Sequence, residues 1–135
     1  MAKASILGDS KVVAFVSTTD PAKARSFYES VLGLRLVLDE PPFALVFDAN
    51  GTMLRVTIVA QHQPAPFTVL GWDVESIATT VERLTAAGVV FLRYPGLNDA
   101  DPLGIWTAPG GARIAWFHDP DGNVLSVTQF EATST

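Results

Sequence analysis

One stretch of this chain occurs twice. Asp48-Ala49-Asn50-Gly51-Thr52-Met53-Leu54-Arg55-Val56-Thr57 is matched by Asp119-Pro120-Asp121-Gly122-Asn123-Val124-Leu125-Ser126-Val127-Thr128 at a constant offset of 71, with Asp, Gly, Leu, Val and Thr in place. Each copy is a turn cluster feeding a strand, because Asn50-Gly51 and Asp121-Gly122 are strong hairpin-turn dipeptides. A repeat this long in 135 residues implies two copies of one supersecondary unit. It also lets each position be compared with its twin.

The segments around the repeat follow the same order in both halves. Lys11–Ser17 reads as a strand. Asp20-Pro21 then starts a helix, with Asp at the N-cap and Pro at the first helical position. Ala24, Phe27, Tyr28, Val31 and Leu32 give this helix a one-sided apolar stripe, and Gly33 stands where a helix-ending glycine belongs. Strands are expected at Leu34–Leu38, Phe43–Phe47 and Met53–Val59. Gln61–Pro66 is a linker by composition, after which the order restarts. Phe67–Asp73 is a strand, and Ser76 caps a helix with the stripe Ile77, Val81, Leu84 and Ala87 that ends at Gly88. Strands follow at Val89–Arg93, Ile105–Ala108, Ala112–Phe117 and Val124–Phe130. Both halves therefore read β-α-β-β-β, and the fold class is α+β. The helix-end glycines are 55 apart and the turns 71 apart, so the second half carries about sixteen extra residues, expected within Tyr94–Trp106. Such an insertion is either a lid or binding loop, or simple drift in loop length.

Composition narrows the function classes. The length suits one domain, and 48% hydrophobic residues supply a core. A formal net charge of −5 without a dense Lys/Arg cluster argues against a nucleic-acid partner. The chain has no cysteine, which excludes disulfides and thiolate metal sites and fits a cytoplasmic location. No apolar run approaches the ~18 residues of a membrane span, and the first ten residues lack a secretory apolar core. No membrane partner is expected.

The paired β-α-β-β-β units, Phe27-Tyr28 and Leu32-Gly33 at the end of the first helix, and the Asp119-Pro120-Asp121-Gly122-Asn123 turn together resemble the vicinal oxygen chelate superfamily, the glyoxalase, bleomycin-resistance and ring-cleaving dioxygenase group. The resemblance runs from about Lys11 to Phe130. It implies one domain over 1–135, with module one at about 11–60 and module two at about 67–130. Each module would curl its sheet into a cup with helices on the convex side and the ligand on the concave side. It also implies a homodimer in which both chains complete each pocket. Enzymatic members hold a divalent metal through His or Glu on the first and last strands of each module. Carried onto this chain, those positions are Val13, Arg55, Val69 and Ser126. Two are aliphatic, one is a cation, and a lone hydroxyl is a poor ligand for an ion that wants imidazole, thiolate or several oxygens. The expected cofactor is therefore none. His62 in the linker and His118 at the mouth of the second turn read as solvated loop residues, and Asp119 and Asp121 as turn formers.

Strand side chains alternate faces. If the four positions face the cup, so do Phe15, Ser17, Met53, Thr57, Gly71, Val124 and Thr128. The opposite set is Ala14, Val16, Leu54, Val56, Leu70, Trp72, Leu125 and Val127, almost wholly apolar, as a helix-covered face should be. The mixed first set suits a ligand cavity. The candidate ligand-binding residues are Phe15, Met53, Arg55, Trp106, Trp116 and Ser126. Arg55 grips a carboxylate or phosphate, pairs with an internal acid such as Asp73, or faces solvent. Trp106 and Trp116 either clamp an aromatic ligand or simply pack. The expected function is metal-free binding of a small molecule, sequestering an aromatic or anionic compound. The rivals are a lyase, isomerase or dioxygenase, metal-dependent through an unorthodox site or metal-independent. No catalytic residue is assigned, because no nucleophile–base pair or carboxylate dyad stands out.

Overall fold

A computed structural model describes residues 5–131. The first module comprises β1 Val13–Thr18, α1 Pro21–Arg25 running on into widened helical turns at Ser26–Val31, β2 Arg35–Glu40, β3 Ala44–Ala49 and β4 Thr52–Ile58. The second comprises β5 Thr68–Asp73, α2 Ile77–Ala86, β6 Trp106–Thr107, β7 Arg113–His118 and β8 Val124–Gln129. The caps are where the sequence puts them. Asp20 Oδ1 accepts from the Lys23 N–H at 3.2 Å, and Ser76 Oγ from the Thr79 N–H at 3.4 Å. In the widened turns the Leu32 N–H reaches the Phe27 carbonyl, five residues back, at 2.9 Å.

The strands form two four-stranded sheets of the same plan, β1-β4-β3-β2 and β5-β8-β7-β6. In each, the first strand runs parallel to the last and the other pairs are antiparallel. The parallel pair requires a crossover, and α1 and α2 open those crossovers. β1 lies beside β5, so two cupped mixed sheets adjoin, with the helices on their convex side.

The register divides the strand residues as the alternation predicts, except at Val69, where the β5–β8 pairing shifts between Thr68 and Leu70. Val16, Leu54, Val56, Leu125 and Val127 are buried in one apolar core, and Ala14, Leu70 and Trp72 pack against it. Each fully buried leucine there contributes roughly 1.5–3 kcal/mol. The core is shared by both modules. Phe27 on the first helix meets Phe117 on β7 at 6.4 Å between ring centroids, and Tyr28 meets Phe47 at 5.8 Å.

The structure corrects the outer strand of module two. Val89–Arg93 is not a strand; it reduces to one bridge, Phe91 to Phe117. The pairing registers explain this. Leu36 pairs Phe47 and Glu40 pairs Ala44 in module one, whereas Phe91 pairs Phe117 and Trp106 pairs Ile114 in module two. The step from Leu36 to Glu40 has become the step from Phe91 to Trp106. Most of the extra residues thus interrupt an edge strand, and the rest lengthen the β6–β7 and β7–β8 turns. An edge strand has one neighbour only, so interruption costs few ladder bonds.

Candidate functional site

The second copy of the repeat does more than turn the chain. Asp119 is 6% exposed, and its Oδ1 accepts from the N–H groups of Asp121 and Asn123, both at 2.9 Å. Its Oδ2 accepts from the Tyr28 hydroxyl at 2.6 Å and the Asn123 amide at 2.8 Å. Burial first, then the Asp119 charge, pushes the Tyr28 phenol far above its ordinary pKa, so it remains a donor. The Asn123 amide also donates to the Ser17 carbonyl at 3.0 Å. Both its protons are then committed, so its Oδ1 accepts from His62 Nε2 at 2.7 Å. His62 is therefore a partly buried linker contact rather than a solvated loop residue, while His118 is exposed. Asp121 Oδ1 accepts from the Thr19 N–H at 2.8 Å and the Thr19 hydroxyl at 3.0 Å. The turn bolts module two to module one, and this polar cluster is spent on structure.

The remaining chemistry lies on the helix-free faces. In the first sheet, register aligns Phe15 with Arg55 and Arg55 with Val46, and aligns Val13 with Met53. Phe15, Met53 and Arg55 therefore share one face, with Phe15 61% and Met53 44% exposed. The Arg55 guanidinium lies 3.8 Å from Glu40 Oε1, both side chains being partly exposed. Its acid partner is Glu40, across β3, and not the Asp73 that the sequence suggested. At that length and exposure the pair is weak.

In the second sheet, register aligns Gly71 with Ser126 and Ser126 with Trp116. A Cβ at position 71 would sit 2.6 Å from Ser126 Oγ, so any larger residue would make that hydroxyl turn away. Ser126 and Thr128 line a recess of about 350 Å³ with Gly71, Asp73 and Phe130. Trp106 and Trp116 stack on each other, with centroids 6.1 Å apart and planes 29° apart. A ring held between them would need roughly 7–8 Å, two carbon contacts deep. The indoles thus form one wall and not two jaws. Tyr94 meets the edge of this wall, 5.6 Å from Trp116. Sequence reasoning missed Tyr94, because only the loop path brings it to β7.

The six candidate residues thus fall into two groups, Phe15, Met53 and Arg55 on one sheet and Trp106, Trp116 and Ser126 on the other. The cavity lined by Val13 and Met53 is separate from the recess lined by Ser126. At the positions where the resemblance places a divalent metal, Val13, Arg55, Val69 and Ser126, two aliphatic side chains, a guanidinium and one hydroxyl do not suit such an ion. Among the described residues, no group of three or more His, Cys, Asp or Glu is placed to hold a metal ion. No helix among them is long and apolar enough to cross a membrane.

Comparisons with known proteins agree with this architecture. The Glyoxalase/Bleomycin resistance protein/Dioxygenase superfamily model matches residues 11–127. The chain is similar to the solved structure of lactoylglutathione lyase from Agrobacterium tumefaciens, at 20% identity and a TM-score of 0.67, over 90% of this chain and 95% of that one. It is similar to TioX from Micromonospora sp. ML1, at 22% identity and a TM-score of 0.67, over 89% of this chain and 98% of that one. A superfamily member from Sphaerobacter thermophilus DSM 20745 aligns at 24% identity and a TM-score of 0.65, over 88% and 97% of the two chains. At these identities the likeness is one of fold. Comparison with curated proteins finds no match.

Proposed function

The chain belongs to the glyoxalase/bleomycin resistance protein/dioxygenase superfamily, and from that premise we propose that it is a metal-free binding protein that sequesters an aromatic or anionic small molecule. The observation that carries this reading is the residue set on the helix-free faces. They present exposed apolar side chains, one weakly paired guanidinium and an aromatic wall. Aromatic surface supplies contact area and a guanidinium supplies orientation. The proposed ligand is planar or partly aromatic and carries an anionic or strongly accepting group. We further propose that residues 1–135 act as one cytoplasmic domain and form a homodimer in which both chains complete each pocket. The rival reading is an enzyme of the same superfamily. Elemental analysis finding about one divalent ion per chain, lost on mutation of the cup, would favour it.

The test is a titration with aromatic carboxylates and their neutral amides. Arg55→Met should weaken the acids by roughly 1.5–3 kcal/mol, the scale of a charged hydrogen bond, and barely affect the amides. Indole emission should change on binding if Trp106 or Trp116 touches the ligand. Equal losses for acids and amides would mean that Arg55 supports the fold, and no binding by any acid would remove the reading.

A further inference from the structure

One difference between the helix-free faces of the two modules lies on the strand beside Arg55 and Ser126. Register pairs Val46 with Arg55 and Trp116 with Ser126, and Arg55 and Ser126 are twins in the repeat. Val46 is therefore the counterpart of Trp116. In module two the indole and its aromatic neighbours occupy that part of the face. In module one the smaller valine leaves a cavity of about 330 Å³, floored by Val13, Val37, Val46 and Met53. That volume is in the range of small-molecule sites.

The charges lining this cavity are Lys11, Arg35 and Asp48. Two cations meet one anion, in a chain whose formal net charge is −5. Asp48 is doubly engaged. Its Oδ1 accepts from the Gly51 N–H at 2.9 Å, and its Oδ2 lies 3.5 Å from the Arg35 guanidinium. The Arg35 side chain is 72% exposed, and an exposed pair of this kind holds weakly. The guanidinium is free to turn toward a better partner, and its planar fork suits a carboxylate. Arg55 does not line this cavity; its guanidinium is directed at Glu40.

We propose that this cavity is a second ligand site, for an amphiphilic monocarboxylate. The apolar tail lies on Val13, Val37, Val46 and Met53, and the carboxylate sits between Arg35 and Lys11. A straight-chain fatty acid and an aryl-alkyl acid share this chemistry.

Calorimetric titration of the full chain with decanoate, phenylbutyrate and decanol tests the proposal. The wild type should bind at least one of the two acids, and the stronger of them names the source. Arg35→Met should weaken that acid by about tenfold to a hundredfold, the loss of one charge-assisted hydrogen bond, and leave decanol unchanged. Asp48→Asn keeps an acceptor for the Gly51 N–H and removes the competing charge, so it should tighten the acid several-fold. A gain in affinity cannot come from misfolding. Arg55→Met should leave the affinity for decanoate unaltered. Absence of binding by both acids, or an Arg35→Met variant that binds them as tightly as the wild type, overturns this site. Decanoate binding that is lost on Arg55→Met and kept on Arg35→Met would also overturn it, and would leave the Arg55 reading standing.

Discussion

Asp121 has a split environment. One oxygen is held by Thr19. The other is buried without a hydrogen bond of its own, the Thr18 hydroxyl being committed to the Asp20 carbonyl at 3.1 Å. Burial acts to raise the pKa of this carboxyl, but the polar groups of Thr18 and Thr19 and the neighbouring His62 outweigh it and hold the carboxyl below the ordinary range. A carboxyl whose folded value is depressed adds stability above its unfolded value of about 3.9, and loses it as pH falls through the folded value. Asp121→Asn should therefore destabilise the protein near neutral pH and flatten the loss of melting temperature below about pH 4. An acid limb as steep as that of the wild type would show that Asp121 is not the group responsible. At the same scale, twin comparison sets the Arg55 guanidinium against the Ser126 hydroxyl. It could not name Glu40, which reaches Arg55 diagonally across a strand.

The element that departs most from its twin is the excursion between Phe91 and Trp106. It is ordered from within. Asn98, 2% exposed, accepts from the Tyr94 N–H at 2.7 Å and donates to the Leu92 and Gly104 carbonyls at 2.9 and 2.7 Å. Asp101 Oδ2 accepts from the Leu103 and Ile105 N–H groups, both at 2.9 Å. The Arg93 guanidinium donates to the Asp99, Asp101 and Pro102 carbonyls. Loop backbone that leaves a sheet must find partners elsewhere, and here three side chains of the loop supply them. Asn98→Ala should cost roughly 2–4 kcal/mol by leaving buried backbone groups unpaired. It should also deprotect the Tyr94 amide in hydrogen exchange and alter tryptophan emission by releasing Tyr94 from Trp116. Exchange and emission unchanged from the wild type would mean that the loop is held by something else. The stretch is rich in Pro, Gly and Asp, as loops are, but the polar latch depends on distances that no local pattern contains.

For the whole molecule, the decisive feature is that neither module owns its core. Tyr28 and Phe27 from the first pack and bond against Phe117 and Asp119 from the second, and the buried apolar residues form one cluster across both. A fragment of about 11–60 would expose that surface and would be too small to replace it. It should lack cooperative unfolding by circular dichroism when expressed alone, and should gain it on mixing with the fragment of about 67–130. A fragment that folds alone would contradict the shared core.

The repeat, the strand alternation and the helix caps determined the two-module plan and the division of faces, because turn dipeptides, capping residues and period-two patterns are local and survive in any environment. The family resemblance, carried onto the repeat, pointed to Val13, Arg55, Val69 and Ser126, none of which is a usual metal donor. Tertiary structure alone decided the partner of Arg55, the stacking of Trp106 on Trp116 against Tyr94, and the seating of His62 on Asn123. It alone left a cavity beside Val46 where Trp116 stands in the twin. Each of these depends on side chains far apart in the chain being brought within a few ångströms, and pairing register and packing set those distances, not the identities of neighbours in sequence.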